Sequence, residues 1–172
     1  MSCSTPEGSA VESKRLTAAV LTVSDSSARG EREDVSGPAV VAILKQRSFS
    51  VVATEIVADD KAAIQKMLIR LARKARLVVT TGGTGIAKRD VTPEASKAIC
   101  ERLLEGVAER MRFEGSKKTP LAALSRGICG VRGTALILNL PGSPRGATES
   151  LEAVVDLLPH ALALLSGDTM HL

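Results

Sequence analysis

The segment LVVTTGGTGIAKRDVTPEA, residues 77–95, contains in succession a strand, a glycine-rich turn and the start of a helix. Residues 77–81 are apolar or β-branched, which is typical of a buried strand. Thr92 is a suitable N-cap, Pro93 favours a first helical turn, and Glu94 adds an acid near the helix start. The order strand, turn, helix predicts an α/β domain whose glycine turn lies at the carboxyl end of a strand.

The same order recurs towards the N-terminus. Residues 16–24 and 49–57 have the composition of strands. Ser36 is the expected N-cap of a helix that extends to Gln46, and apolar residues recur at helical spacing again after Asp60. Residues 25–34 are polar and predict a loop. Strands that alternate with helices imply right-handed crossovers and a mostly parallel sheet covered on both faces. The sequence therefore predicts a three-layer α/β/α domain.

The second half of the chain predicts one reversal of strand direction. Residues 128–132 and 134–140 flank a glycine and are expected to pair as a hairpin, which places one antiparallel strand in the sheet. Residues 106–125 predict a helical stretch that a glycine and a proline interrupt. The last helix is predicted over residues 148–165, where leucines and valines form one face.

Length and composition are those of one globular domain. The chain has 172 residues, of which 44% are apolar, so it can build one well-packed core. Residues 1–14 are rich in serine and small or charged residues and predict a flexible tail, so the single domain is expected over residues 15–172. No apolar run approaches the roughly 18 residues of a membrane-spanning helix, and the tail has no apolar segment typical of a secretory signal. We therefore predict a cytoplasmic protein with no membrane partner.

Several other classes of protein are disfavoured. The cysteines Cys3, Cys100 and Cys129 are scattered, and with only two histidines they predict neither a disulfide framework nor a structural zinc site. The net charge of +4 is mild, and the chain has no Trp or Tyr and only two Phe on which bases could stack. Nucleic acid is therefore not expected as a partner. The absence of G-x-S-x-G disfavours a serine hydrolase.

The glycine turn, residues 82–85, is a candidate anion-binding loop. Glycine lets the backbone approach a ligand closely, and successive N–H groups can form a nest for a phosphate. The turn lacks the G-x-x-x-x-G-K-[ST] pattern and the third small residue of a dinucleotide fingerprint. A tight turn that only reverses the chain remains the alternative.

Charged residues follow the turn directly. Lys88 and Arg89 could hold phosphates, and the Asp90 carboxylate could hold Mg²⁺, which prefers a few oxygen ligands together with phosphate oxygens. For each charge taken alone, a solvated surface position is the alternative. Ser24, Asp25, Asp59 and residues 139–143 also fall at predicted strand ends, which meet at one edge of a parallel sheet. We expect one site there.

Taken together, these segments resemble the signature of the MogA/MoaB family of molybdopterin-binding proteins, to which the G domain of gephyrin-like proteins also belongs. The resemblance covers about residues 16–165 and comprises several motifs in the family's order. The matching segments are VTTGGTG at residues 79–85, Asp90 with VTPEA at 91–95, VSD at 23–25, DD at 59–60, LSR at 124–126 and NLPGSP at 139–144.

The resemblance implies a function. MogA-type members use Mg²⁺ and ATP to adenylylate the terminal phosphate of molybdopterin, with release of pyrophosphate, in molybdenum cofactor biosynthesis. They are homotrimers, and a downstream molybdenum insertase is a candidate partner. Asp59 and Asp90 match the two aspartates tied to metal binding and catalysis. Ser125 matches a serine of the pocket and, with Arg126, is expected to hold the dithiolene end of the pterin.

Two alternatives to the enzyme are kept. The shorter MoaB-like branch favours a non-catalytic molybdopterin carrier or partner module, and the same fold occurs in molybdenum insertases and competence-damage-type proteins. The positive charge suggests a nucleic-acid-binding regulator.

The predicted ligand-binding residues all lie in the matching segments. They are Ser24, Asp25, Thr81, Gly82, Gly83, Thr84, Gly85, Thr92, Pro93, Glu94, Ser125, Arg126, Asn139, Pro141, Gly142 and Ser143.

Overall fold

The structure is a computed structural model that describes residues 16–167. The predicted tail over residues 1–14 lies outside the described residues. The predicted single domain over residues 15–172 extends beyond them at both ends. Among residues 16–167, no helix combines the length and apolar character needed to cross a membrane.

Six strands form one sheet in the described part of the chain. The strands are β1 (Thr17–Val23), β2 (Ser50–Val57), β3 (Leu77–Thr81), β4 (Arg102–Leu103), β5 (Cys129–Arg132) and β6 (Ala135–Leu140). Their order across the sheet is β2-β1-β3-β6-β5-β4. Strands β2, β1, β3 and β6 are parallel, and β5 runs antiparallel to both β4 and β6. The prediction of a mostly parallel sheet with one antiparallel strand is confirmed.

Helices cover both faces of the sheet. They are α1 (Asp25–Ala28), α2 (Ser36–Gln46), α3 (Lys61–Ala72), α4 (Thr92–Ile99), α5 (Glu105–Ser116), α6 (Pro144–Val154) and α7 (Leu158–Leu165), with 3₁₀ turns at Pro120–Leu124 and Val155–Leu157. One buried cluster joins the sheet to α2, α5, α6 and α7, and a second joins its other face to α3 and α4. The predicted three-layer α/β/α architecture is confirmed.

Local capping explains two departures from the predicted elements at the carboxyl edge of the sheet. The predicted loop after β1 begins with α1, because Ser24 Oγ accepts a hydrogen bond from Ser27 N at 3.2 Å and caps the turn. The prediction that Thr92 caps α4 is wrong, since the cap position is Val91 and Thr92 Oγ1 instead donates to the Gly82 carbonyl at 2.9 Å. Thr92 therefore ties the glycine loop to the helix.

The C-terminal helical region also differs from its prediction. The helix predicted over residues 148–165 begins four residues earlier, at Pro144, because Ser143 Oγ accepts from Gly146 N at 3.0 Å as an N-cap. It is interrupted by the 3₁₀ turn, since Pro159 has no N–H with which to continue an α-helical ladder. Strand β4 was not predicted, because two residues are too few to show a periodic pattern.

Candidate functional site

The glycine loop connects β3 to α4 in a backbone conformation that requires glycine at two positions. Gly82 and Gly83 have φ values of 97° and 65°. A Cβ on Gly82 would overlap the Val23 carbonyl oxygen, and one on Gly83 would overlap Thr92 Oγ1. Thr92 N also donates to the Gly83 carbonyl at 3.1 Å. The loop is therefore packed against the end of β1 and the start of α4.

The same loop presents main-chain donors. Within residues 16–167, the N–H groups of Gly83, Thr84 and Gly85 donate to no protein acceptor, whereas Gly82 N donates to the Leu140 carbonyl at 3.2 Å. Gly85 also lets the Asp90 carboxylate approach, since a Cβ there would lie 2.8 Å from Asp90 Oδ2. Successive free N–H groups at a strand-to-helix junction can bind an anion.

Charged side chains form what we call the acidic edge, comprising Asp25, Asp59, Arg89 and Asp90. The first two bind each other's main chain: Asp25 N donates to Asp59 Oδ2 at 2.8 Å, and Asp59 N donates to Asp25 Oδ1 at 3.0 Å. Arg89 Nη2 lies 2.7 Å from Asp25 Oδ2. These bonds hold the ends of β1 and β2 next to the segment that follows the glycine loop.

The two aspartates at the strand ends are in different electrostatic environments. The hydrogen bond from Arg89 lowers the pKa of Asp25 below its ordinary value. Partial burial raises the pKa of Asp59, and the carboxylates of Asp25 and Asp90 add to that rise, while the Asp25 N–H and Arg89 oppose it. Asp25 is thus the ionised partner of Arg89, and the Asp59 carboxylate has the higher pKa of the two.

Asp59 and Asp90 each keep one carboxylate oxygen available. Asp90 Oδ2 accepts from Ala87 N at 2.9 Å and Asp59 Oδ2 from Asp25 N, and no residue of the described chain donates a hydrogen bond to the Oδ1 atom of either. Mg²⁺ is commonly held by one or two carboxylates together with substrate phosphates, so this donor set fits it. No group of three or more Asp, Glu, His or Cys within residues 16–167 forms a site for a metal held by protein alone.

A cavity of about 440 Å³ lies on the side of the glycine loop away from the acidic edge, and we call it the pocket. Thr84 and Gly85 line its near wall, and Ser125 and residues 141–143 line it from two other chain segments. Residues of α5, α6 and the 3₁₀ turn at Pro120–Leu124 complete it, most of them small or apolar. Asp59 and Asp90 do not line the pocket. The two regions meet at the loop, where a Cβ on Gly142 would lie 3.2 Å from Gly82 Cα.

Several side chains predicted to bind ligand make hydrogen bonds within the protein, and Asn139 and Ser143 among them also line the pocket. Asn139 is 1% exposed, and its Nδ2 donates to Thr80 Oγ1 at 3.1 Å and to Ser96 Oγ at 2.9 Å. Asn139 Oδ1 lies 3.4 Å from Ile128 N. The buried Thr81 hydroxyl pairs with Ser36 Oγ at 3.1 Å. These bonds, like the caps formed by Ser24 and Ser143, occupy the side-chain polar atoms within the protein.

Arg126, predicted to hold the pterin, makes contacts within the protein on three sides of its guanidinium. Its Nε donates to the Gly85 carbonyl at 2.7 Å, its Nη2 donates to the Asp90 carbonyl at 2.6 Å, and its Nη1 pairs with Glu94. The hydrogen bond from Arg126 lowers the pKa of Glu94. Glu94 and Arg126 therefore lie together against the loop, and the Arg126 guanidinium contacts the Glu94 carboxylate and two main-chain carbonyls.

Two residues of this region were missed in the sequence. Asp34 Oδ2 accepts from Thr22 Oγ1 at 2.6 Å and Asp34 Oδ1 accepts from Gly37 N at 3.0 Å, which joins the end of β1 to the start of α2. An aspartate three residues before a helical N–H is a capping signal that could have been recognised. Arg112 Nη1 donates to the Gly127 carbonyl at 3.1 Å and lines the pocket, and no local pattern on α5 indicates this.

A family model described as "Probable molybdopterin binding domain" matches residues 19–160. The chain belongs to this family. The predicted resemblance to the MogA/MoaB molybdopterin-binding proteins is therefore confirmed, and the match includes the glycine loop, the acidic edge and most of the pocket.

Relatives of the molybdopterin-binding family match most of this chain. A protein of Helicobacter pylori (strain J99) named molybdopterin adenylyltransferase is 43% identical over 155 residues, which are 88% of each protein. The crystal structure of the molybdopterin biosynthesis enzyme MoaB from Thermus thermophilus superposes with a TM-score of 0.84 at 51% identity, over 88% of this chain and 97% of that one. The molybdenum cofactor synthesis protein cinnamon of Drosophila melanogaster is 40% identical over 89% of this chain but only 26% of its own length. A related domain thus also occurs inside a longer protein.

Proposed function

We propose that the protein transfers AMP from ATP to the terminal phosphate of molybdopterin, with Mg²⁺, and releases pyrophosphate. The chain is an enzyme of molybdenum cofactor biosynthesis, since relatives named molybdopterin adenylyltransferase match it over most of its length. The single observation that carries the finer assignment is the arrangement around the glycine loop. Free carboxylate oxygens lie on one side, a pocket lies on the other, and unbonded N–H groups lie between them.

The proposed reaction needs alignment more than covalent catalysis. A terminal phosphate oxygen of molybdopterin forms a bond to the α-phosphorus of ATP, and the bond from that phosphorus to the oxygen bridging to the β-phosphate breaks. The electron pair leaves with pyrophosphate. Positioning and charge neutralisation supply most of the acceleration in such transfers, and no protein nucleophile is required.

The acidic edge is suited to the triphosphate. Asp59 and Asp90 would hold Mg²⁺ through their free Oδ1 atoms, and the bound cation would neutralise charge on the phosphates. The N–H groups of residues 83–85 would donate to phosphate oxygens. Arg89 is paired with Asp25 but its side chain is 65% exposed, so it adds positive charge at the same edge.

The pocket is suited to the pterin. Its mostly small and apolar walls accept a flat ring system, and Ser125 supplies a hydroxyl next to Arg126, whose N–H bonds the Thr84 carbonyl. Arg112 Nη1 donates hydrogen bonds to the carbonyls of Ser125 and Gly127 at 3.4 and 3.1 Å, and these bonds fix the backbone of this wall. Molybdopterin bound here would direct its phosphate toward the glycine loop.

The assay for the proposed function measures pyrophosphate. The protein is incubated with molybdopterin, ATP and MgCl₂, and released pyrophosphate is compared with that from an ATP analogue whose α–β bridge is a methylene group. We expect release that depends on ATP, Mg²⁺ and molybdopterin together. Molybdopterin binding without release would contradict the proposal and favour the carrier.

Assembly and location remain predictions. We propose a homotrimer, supported by large apolar side chains on the surface of the described residues outside the pocket, among them Phe113 and Val35 at 65% and 57% exposure. Light scattering at micromolar concentration should give three times the chain mass, and a monomer mass would refute this. Action in the cytoplasm and transfer of the product to a molybdenum insertase are further proposals. Neither nucleic acid nor membrane is expected as a partner.

A further inference from the structure

Arg126 connects the two regions of the site through four different contacts. Its guanidinium bonds the main-chain carbonyls of Gly85 and Asp90 and pairs with Glu94 at the start of α4. Its own N–H donates to the Thr84 carbonyl at 2.9 Å. One residue thus contacts both ends of the segment 84–90, which begins at the pocket wall and ends at the acidic edge.

The two sequence neighbours of Arg126 form part of the pocket wall. Ser125 and Gly127 line the pocket, and Arg112 donates to the carbonyls of both. The segment 125–127 is therefore held on one side by α5 and on the other by the glycine loop. A displacement of this segment would move Ser125 and the Asp90 backbone together.

We infer that Arg126 is a positioning residue that sets the place of the Asp90 carboxylate relative to the pocket. The inference rests on the proposed function for its kinetic consequence, but its structural part stands on the contacts alone. Arg126 does not act on the substrates itself. It keeps the Asp90 carboxylate at a fixed distance from the pocket wall at Ser125. Small errors in that distance slow a transfer that depends on alignment.

The geometry also predicts that lysine cannot replace this arginine. The Nε and Nη2 atoms of a planar guanidinium reach two carbonyls at once while Nη1 pairs with a carboxylate. A lysine at this position could keep the pair with Glu94 but has one nitrogen for all acceptors. Arg126→Lys should therefore preserve charge and lose the fixed position of the loop.

A second arginine offers a matched control at the opposite edge of the sheet. Arg76 precedes β3, and its Nη2 donates to the Leu162 carbonyl at 2.5 Å. It also holds main chain, but it contacts none of the site residues. Loss of either arginine removes side-chain hydrogen bonds to main-chain carbonyls, whereas only Arg126 should affect Asp90.

The kinetic test is a double-mutant cycle. We expect Arg126→Gln and Arg126→Lys to lower pyrophosphate release about 30-fold in the parent but no more than about 3-fold in an Asp90→Asn background, because residues that act through one another are not additive. Arg76→Gln should leave turnover within about 2-fold of the parent at a temperature below its melting transition. Additive losses, or an equal loss in Arg76→Gln, would overturn the inference.

A second measurement is independent of activity. The Ala87 N–H bonds Asp90 Oδ2, so its hydrogen exchange reports the position of that carboxylate. Exchange over residues 85–91 should accelerate about tenfold or more in both Arg126 variants and stay unchanged in Arg76→Gln. If the parent releases no pyrophosphate, the proposed function fails but this exchange difference still decides the inference. Unchanged exchange, or failure of both Arg126 variants to fold, would overturn it.

Discussion

The acidic edge and the pocket lie on opposite sides of one glycine loop and are built from different interactions. The acidic edge consists of charged side chains on short connections after β1, β2 and β3, held by hydrogen bonds to main chain. The pocket is lined mostly by small and apolar residues from α5, α6 and the turn before Ser125, with Arg112 and Glu149 as its charged residues. Charge acts over several ångströms, whereas an apolar wall acts only on contact.

This difference separates two tasks. A carboxylate that holds a cation near phosphates affects the transition state in which charge is redistributed, so changes at the acidic edge should reduce the rate. A wall that fits a ring system binds ground state and transition state alike, so changes in the pocket should reduce affinity. The following substitutions test that division, in order of decreasing expected effect.

The largest effect is expected at the acidic edge. Asp59→Asn and Asp90→Asn keep the shape of the side chain and remove its charge, and each should lower pyrophosphate release on the order of a hundredfold or more. Molybdopterin affinity should change little. Asp156→Asn is the matched control, since this exposed carboxylate pairs with Arg47 away from the site. Near-parental turnover in both site variants would refute the metal-site assignment.

The second effect concerns Asn139, which lines the pocket and bonds β3 and α4. Asn139→Ala leaves the Ile128 N–H and the hydroxyls of Thr80 and Ser96 without this partner, and should lower the free energy of unfolding by about 1–3 kcal/mol. Ser96→Ala removes one of these bonds and should cost less. Denaturant unfolding measures both. A variant with parental stability and no molybdopterin binding would show that Asn139 is a ligand contact instead.

The third effect tests the pocket alone. Ser150 lines the pocket from α6, so Ser150→Leu should narrow it and weaken molybdopterin binding about tenfold, or about 1.4 kcal/mol. Glu152→Leu, two residues later on an exposed position, is the control and should bind as the parent does. Calorimetry gives the affinities, and turnover at saturating molybdopterin should be unchanged. A fall in saturated turnover without a loss of affinity would break the proposed division.

The smallest effect is a shift in pH dependence. Asp59 must be ionised to hold a cation, and because its pKa is raised, activity should fall as pH decreases through that pKa. Arg89 lowers the pKa of both Asp25 and Asp59, so Arg89→Gln should move the acid limb of the pH–rate profile to higher pH. Pyrophosphate release measured from about pH 4 to about pH 8 reports this, with Arg47→Gln as control. An acid limb that stays in place, or moves down, would contradict the assigned electrostatics.

Local pattern predicted much of the fold. Strand β3 has the predicted bounds and helix α2 ends at the predicted Gln46, because each combines a clear apolar pattern with distinct ends. Helix α2 begins one residue early, since Ser36 is its first residue rather than its N-cap. The predicted last helix was wrong at its start and in its continuity, since Ser143 and Pro159 act through capping and a missing N–H rather than through periodicity. The roles of side chains within the site were harder to predict than the elements that carry them.

The sequence by itself determined that a glycine loop and three aspartates meet at the carboxyl edge of a parallel sheet. This follows from local pattern, because every parallel strand ends at that edge. Only the tertiary structure decided that Asn139 and Arg126 hold the protein together and that the pocket forms from segments far apart in the chain. Arg126 and Gly85 are 41 residues apart. Two groups form a hydrogen bond when they lie close together in space. Composition and spacing along the chain do not give the spatial distance between residues that are far apart in sequence.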